Sequence, residues 1–246
     1  MTSRERTAIR PRTMDLSALA PPQRWRNRLA VIAFALIQWP WLLRSLWGGR
    51  IAAKFALLDR LGLPRTALPH LGSWKADVGF LTQLADDIIR LCPDTVVEFG
   101  MGASTLIIAA ALRKAGRGTL VSFDQHADFV AATRRWLAEH GLVADLRAAA
   151  LVPATNWPGL WYRHGDLPER IDLLVIDGPP WTIHPFTRGS ADGLFDRITP
   201  GGHIMLDDAA RPGERMIARR WRRDWPDFDW RYVRGIKGTL IGERRA

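Results

Sequence analysis

From about residue 73 onward, short apolar runs bounded by Gly, Pro or Asp alternate with longer stretches whose apolar residues recur at helical spacing. Thr95–Phe99 (TVVEF), Thr119–Phe123 (TLVSF), Ile171–Ile176 (IDLLVI) and Gly202–Leu206 (GHIML) read as buried strands, and residues 144–151 as a weaker one. Helices are predicted over Ala76–Leu91, Thr105–Leu112, Ala127–His140, Ala191–Ile198 and Glu214–Arg223. Pro93 and Asp94 end the first of these, and Gly141 caps the third. Asp229–Val233 and Gly238–Ile241 read as a closing antiparallel pair, while residues 152–170 form a long connection rich in Pro and Trp. Strands alternating with helices predict an α/β fold, a mostly parallel sheet covered on both faces.

The first 60 residues differ from the rest. Residues 1–23 are polar, contain Arg and Pro, and read as a flexible lead-in. Residues 29–43 (LAVIAFALIQWPWLL) are the most apolar stretch, flanked by Arg24, Arg26 and Arg28 before and Arg44 and Arg50 after. The stretch is shorter than the roughly 20 residues a spanning helix needs, and Pro40 is expected to break or kink it. Trp25, Trp39, Trp41 and Trp47 suit a lipid headgroup boundary. The segment therefore reads first as an interfacial helix on an anionic membrane through residues 24–54. A helix packed on the domain or on a second subunit, and a true span, are the alternatives. The division is a basic extension over 1–60 and an α/β domain over 61–246.

Composition and charge narrow the classes. The net charge is +10, with the basic excess at the two ends and a slightly acidic middle. Such ends suit anionic lipid, acidic substrates or nucleic acid. Arginine far outnumbers lysine, as in chains from GC-rich genomes, which weakens the nucleic-acid reading. The single cysteine, Cys92, excludes an intramolecular disulfide framework and a cysteine-rich zinc site.

In parallel sheets ligands bind beyond the carboxyl ends of the strands. After the first strand comes Glu98-Phe99-Gly100-Met101-Gly102-Ala103-Ser104-Thr105, a glycine turn opening onto a helix N-terminus. A dinucleotide fingerprint would want a third glycine at position 105, and Glu98 would repel a pyrophosphate while attracting a cation. Asp124 ends the second strand, where a carboxylate can accept two ribose hydroxyls or cap the next helix. Asp177 follows IDLLVI, and Asp207-Asp208 follows GHIML; adjacent strand ends bring these three carboxylates to one rim, a donor set that suits Mg²⁺. His184 is a candidate general base, as is His164 in the 152–170 connection, unless each is simply solvated. Trp157, Trp161, Tyr162 and Trp181 could form an aromatic wall or pack beneath a loop; Arg188 and Arg211 could meet an anionic group or be surface charge.

Together, EFGMGAST, the following helix and strand, and Asp124 resemble a class I S-adenosylmethionine-dependent methyltransferase over residues 73–246. The resemblance implies a Rossmann-like seven-stranded methyltransferase sheet with helices on both faces and one reversed strand, here preceded by an N-terminal helical extension. It implies S-adenosylmethionine as cofactor, held by Glu98, Gly100, Gly102, Ser104 and Asp124. Asp177, Asp207 and Asp208 resemble the ligand set of the metal-dependent O-methyltransferases, which implies Mg²⁺ there, with Asp177 and His184 as catalytic candidates. Asp177–Pro180 (DGPP) and Asp207–Arg211 (DDAAR) are similar to a bacterial group of methyltransferases. No adenine partner follows the third strand: Asp145 lies too early.

The expected activity is methyl transfer to an oxygen of a small molecule, sugar or lipid-linked glycan, by an enzyme that is cytoplasmic or peripheral on the inner membrane face. A nicotinamide-dependent oxidoreductase and a non-catalytic membrane or nucleic-acid adaptor are the rival readings.

Overall fold

The structure is a computed structural model that describes residues 18–246, so the lead-in expected over 1–23 falls mostly outside the described residues. The chain begins with α1 (Pro21–Ser45) and α2 (Ile51–Arg60), followed by α3 (Val78–Leu91), β1 (Thr95–Phe99), α4 (Ala103–Ala115), β2 (Thr119–Asp124), α5 (Ala127–Ala138) and β3 (Asp145–Ala148). Then come β4 (Leu151–Pro153), β5 (Leu160–Tyr162), β6 (Ile171–Ile176), a 3₁₀ segment (Thr187–Arg197), β7 (Ile198–Leu206), α6 (Pro212–Asp224), β8 (Phe228–Val233) and β9 (Thr239–Arg244).

The main sheet has seven strands in the order β3-β2-β1-β6-β7-β9-β8. Strands β3, β2, β1, β6 and β7 run parallel, and β9 is antiparallel to both β7 and β8, as the terminal apolar pair predicts. Alternate side chains feed two cores. Val96, Leu120, Leu173 and Val175 pack under α3 and α4 on one face; Val97, Phe99, Leu174, Ile176 and Leu206 pack with Phe195 and Trp221 on the other. Residues Ala103–Leu112 of α4 are all buried, because the helix is sandwiched between the sheet and α3.

Local chemistry sets the helix ends. Asp77 caps α3 by accepting from Gly79 N–H at 2.7 Å and Phe80 N–H at 3.0 Å. Gly116 closes α4 in the left-handed region at φ 74°.

Several expectations shift. The weak strand over 144–151 is two strands: β3 joins the main sheet, and β4 pairs antiparallel with β5 inside the long connection to form a separate hairpin. The short helix expected at Ala191–Ile198 is a 3₁₀ segment that starts earlier, at Thr187. Pro40 does not end α1, which begins at Pro21 and continues to Ser45; Pro40 lies exposed, so its missing N–H leaves no buried carbonyl stranded. Leu57 and Leu58 of α2 pack into the same core as α3 and α4.

Candidate functional site

Strand register assembles the site. In β1 and β2, Phe99 pairs with Phe123, which puts Gly100 level with Asp124. In β6 and β7, Ile176 pairs with Leu206, so Asp177 and Asp207 leave the sheet side by side. The acids expected from the strand ends therefore do meet along one edge.

Glu98 is fully buried under the start of α4. Its Oε2 accepts from Thr105 Oγ1 at 2.6 Å and Ser122 Oγ at 2.5 Å. Among the described residues its Oε1 and the buried Ser104 Oγ beside it complete no well-formed hydrogen bond, although the Ser104 hydroxyl lies close enough to favour the ionised carboxylate. Burial pushes the Glu98 pKa up to about 7, against the pull of the Ser104, Ser122 and Thr105 hydroxyls, with Asp177 adding repulsion. Asp124 is likewise pushed up to about 7 by burial, partly offset by backbone N–H groups including that of His126, 2.8 Å away.

The two glycines do different work. Gly100 has φ 98°, and a Cβ there would meet Gly178 N at 2.4 Å, so it lets two loops touch. A Cβ on Gly102 would meet nothing within 4 Å: the loop beside it is open on the ligand side. An open cradle, incompletely bonded Glu98 and Ser104 oxygens and a carboxylate at the end of β2 fit a cofactor with cationic and hydroxyl groups. These are the residues that would hold S-adenosylmethionine.

The carboxylate rim is more crowded than the sequence suggests. Ligand oxygens of Asp177, Asp207 and Asp208 lie within 4.8 Å of one another. Asp208 holds φ 60°, a left-handed conformation that Asp tolerates better than most residues. Arg188, 4% exposed, threads between the loops. Its Nη1 donates to Asp208 Oδ2 and Asp207 O, both at 3.2 Å, its Nε to Pro179 O at 3.1 Å, and its Nη2 to Asp177 O. Arg211 Nη2 lies 2.9 Å from Asp208 Oδ2, and Lys237 Nζ lies 3.5 Å from Asp208 Oδ1.

This basic triad decides the electrostatics. Burial alone would raise the Asp208 pKa, but Arg211, Lys237 and Arg188 overcome it and hold the carboxyl well below its usual range. Asp177 is pushed up to about 6 by burial, against the attraction of Arg188. Burial and then Asp208 and Asp177 drive the Asp207 pKa far upward, and among the described residues neither of its oxygens has a hydrogen-bond partner. The expected three-ligand Mg²⁺ site is therefore assembled but does not fit a divalent ion as arranged. Both Asp208 oxygens are engaged by cations, burial disfavours the charged form of Asp207, and a further positive charge would face three basic groups.

His184 accepts the Phe186 N–H at 3.1 Å through Nδ1, and none of its described contacts reaches Asp177, Asp207 or Asp208. Burial lowers its pKa to about 4. Through this bond it ties its own loop together, apart from the carboxylate rim. Trp157 packs against Gly189 and donates to Asp192 Oδ2 at 2.6 Å, and Trp181 is buried. Trp161 and Tyr162 lean on Phe99, with ring centroids 5.0 and 5.3 Å away, and Tyr162 Oη donates to Gln125 Oε1 at 3.1 Å. Tyr162 thus bridges from beside Asp124 to Gly178, a site position that the sequence marked only as part of an aromatic wall. His164 stands edge-on to Phe99 and Phe123. Asp145 is paired with Arg147. Lys237 gave no signal in the sequence, because it reaches the rim from the β8–β9 turn.

A family model described as a methyltransferase domain matches residues 97–209. No curated protein matches the chain in sequence. Among solved structures, a methyltransferase from Geobacter sulfurreducens superposes with a TM-score of 0.53 at 19% identity, covering 80% of this chain and 89% of that one. An O-methyltransferase from Bacillus cereus, in complex with S-adenosylhomocysteine, has a TM-score of 0.53 at 13% identity, covering 87% of this chain and all of that one. TomG, an O-methyltransferase from Streptomyces achromogenes solved with S-adenosylmethionine, has a TM-score of 0.51 at 15% identity, covering 93% and 100% of the two chains. At these identities the likeness is one of fold. The matched segment, the strand order and the acids at the strand ends agree: residues 97–209 match a methyltransferase domain, and the chain has the Rossmann-like seven-stranded fold of these methyltransferases.

Proposed function

We propose that the protein transfers the methyl group of S-adenosylmethionine to an oxygen of a small-molecule, sugar or lipid-linked acceptor, without a divalent ion. The observation that carries this is the meeting of Glu98, Asp124 and Asp177 around the Gly100–Gly102 loop. The O-methyltransferases among the structures of similar fold favour oxygen over nitrogen.

The bound cofactor supplies an electrophilic methyl group on a sulfonium. Ionised Glu98 would face the cofactor's cationic end, Asp124 its ribose hydroxyls, and the Gly102 backbone would let it approach closely. Asp177, the most open of the three rim carboxyls with a side chain 15% exposed, is the proton acceptor. Its pKa of about 6 leaves it mostly ionised at neutral pH. Asp177 would take the proton of the acceptor O–H, leaving the oxygen to accept the methyl group that the bound cofactor would supply. Neutral S-adenosylhomocysteine and the methyl ether are the products. Arg188, Arg211 and Lys237 balance the rim charge and hold the DGPP loop against the Asp207–Asp208 turn, which fixes Asp177 relative to the glycine loop.

Titration calorimetry of S-adenosylhomocysteine into the protein tests the reading. Binding that is lost in Asp124→Asn and unchanged by MgCl₂ or EDTA is the expected result. Absence of binding in every condition would overturn the methyltransferase reading, and a heat that requires Mg²⁺ would overturn the metal-free one. A nicotinamide cofactor is disfavoured, because its pyrophosphate would meet Glu98 beneath the loop.

A further inference from the structure

Helix α1 is turned inside out relative to an ordinary surface helix. Its polar Asn27 and Gln38 are buried, at 4% and 1% exposure. Asn27 donates through Nδ2 to Ile183 O, while among the described residues neither polar atom of the Gln38 amide has a partner. The opposite face presents Trp25, Leu29, Ile32, Leu36, Trp39 and Leu43, all between 46% and 73% exposed. Steps of four, three, four, three and four place these six on a single helical stripe. Leu46, Trp47 and Ile51 continue the exposed apolar series, and Trp74, 63% exposed, sits in a turn tied to the helix end by Ser73 N–H on Ser45 O at 2.7 Å.

The inner side of α1 crosses the carboxyl edge of the sheet. Phe34 meets Phe186 edge-on at 5.1 Å, two residues before Arg188. Arg44 donates to Gly235 O at 3.2 Å, two residues before Lys237. A cleft of about 210 Å³ lies between the first turns of α1 and the β4–β5 hairpin, with Arg26, Asn27, Trp157 and His184 among its walls. The apolar face thus points away from the very edge at which an acceptor must arrive.

We infer that this face of α1, with its arginine rim, seats the protein on an anionic lipid surface. Charge decides between occupants. Helix α1 carries Arg24, Arg26, Arg28 and Arg44 and no acidic residue, and Arg50 follows it. Pairing with a second copy would bring arginines of one helix near those of the other in either orientation, with no carboxylate on either helix to neutralise them. An anionic headgroup layer supplies that counter-charge, and tryptophan is well suited to its boundary. Among the described residues no helix is long and apolar enough to cross a membrane, so the helix lies in the interface with its apolar stripe in the acyl boundary. This seat does not depend on the methyltransferase reading.

The test is sedimentation of the full-length protein with vesicles of phosphatidylglycerol and phosphatidylcholine, set against phosphatidylcholine alone. Calorimetry with S-adenosylhomocysteine runs in parallel, to report an intact domain separately. The expected result is binding to the anionic vesicles that weakens as salt rises and falls about tenfold or more in Leu36→Glu with Trp39→Glu. Arg26→Glu with Arg28→Glu should remove the preference for anionic lipid. The proposal is overturned if the wild-type protein stays in the supernatant with both vesicle types. A particle of twice the chain's mass that reverts to a monomer in Leu36→Glu would then identify a second copy as the occupant.

Discussion

The Arg188 guanidinium lies 3.2 Å from Asp208 Oδ2, and both side chains are nearly closed to solvent. This buried pair joins the loop after β6 to the turn after β7. The same guanidinium also reaches Asp177 and the backbone of both segments, so the fourth and fifth strands of the parallel sheet present their acids as one unit.

Removing that clamp should do two things. Arg188→Ala leaves Asp208 less compensated and frees oxygens at the rim, with an expected loss of about 3–5 kcal/mol in unfolding free energy. The same variant should acquire a thermal shift with MgCl₂ that the wild-type protein lacks, because the carboxylates then face fewer cations. Thermal unfolding of both proteins in MgCl₂ and in EDTA checks this, and a wild type stabilised by Mg²⁺ would contradict it.

The two loop glycines should separate folding from binding. At Gly100 a methyl group collides with the Gly178 backbone in a left-handed conformation, so Gly100→Ala should lower stability by several kcal/mol, about 2–4. At Gly102 the same methyl group meets no protein atom, so Gly102→Ala should leave the melting temperature nearly unchanged. It should instead weaken S-adenosylhomocysteine binding by tenfold or more, roughly the effect of a steric intrusion worth 1.4 kcal/mol. Equal effects of the two variants on stability would refute the division.

Glu98 makes stability fall with rising pH. Its folded pKa of about 7 exceeds the ordinary value of 4.5, so between these values the folded state keeps a proton that the unfolded chain has released. The penalty is absent below the lower value and complete above the upper one, reaching about 3 kcal/mol at most. Asp124 acts in the same direction. Denaturant titrations from pH 4.5 to 8 should show a shallower decline in Glu98→Gln than in the wild type. Affinity for the cationic S-adenosylmethionine should rise over the same window, because the ligand favours the ionised acids.

His184 acts in the opposite direction. Its folded pKa of about 4 lies below the ordinary 6.5, so the unfolded chain takes up a proton first as the pH drops. Stability from this residue is present above 6.5 and is lost as the pH falls toward 4. His184→Gln keeps an acceptor for the Phe186 N–H and should remove that acid-side loss while leaving methyl transfer intact. A collapse of activity in this variant at an unchanged melting temperature would restore the histidine to the chemistry.

Much of the architecture is written in local pattern. Buried strands such as Leu173–Ile176 are continuous apolar runs because both faces of a parallel sheet are covered, and β1 departs from that pattern at Glu98. The acids that follow them, Asp124, Asp177 and Asp207, are legible because a strand end in such a sheet has only one edge to face. The 151–162 hairpin was not legible, since β4 and β5 are three residues each and their pairing is a contact between segments rather than a periodicity. Pro40 misled for a related reason: its effect depends on which side of the helix it faces.

By itself, then, the chain determined the sheet, its helices, the glycine loop and the acids at the strand ends, because these follow from periodicity and turn chemistry along a few adjacent residues. Tertiary structure alone decided the charge state of the rim and the orientation of α1. Arg188 and Lys237 reach Asp208 from 20 and 29 residues away, and burial sets the sign of each carboxyl's shift. Which stripe of an apolar helix faces outward is fixed only by what packs against its other side, here Ile183, Phe186 and Gly235.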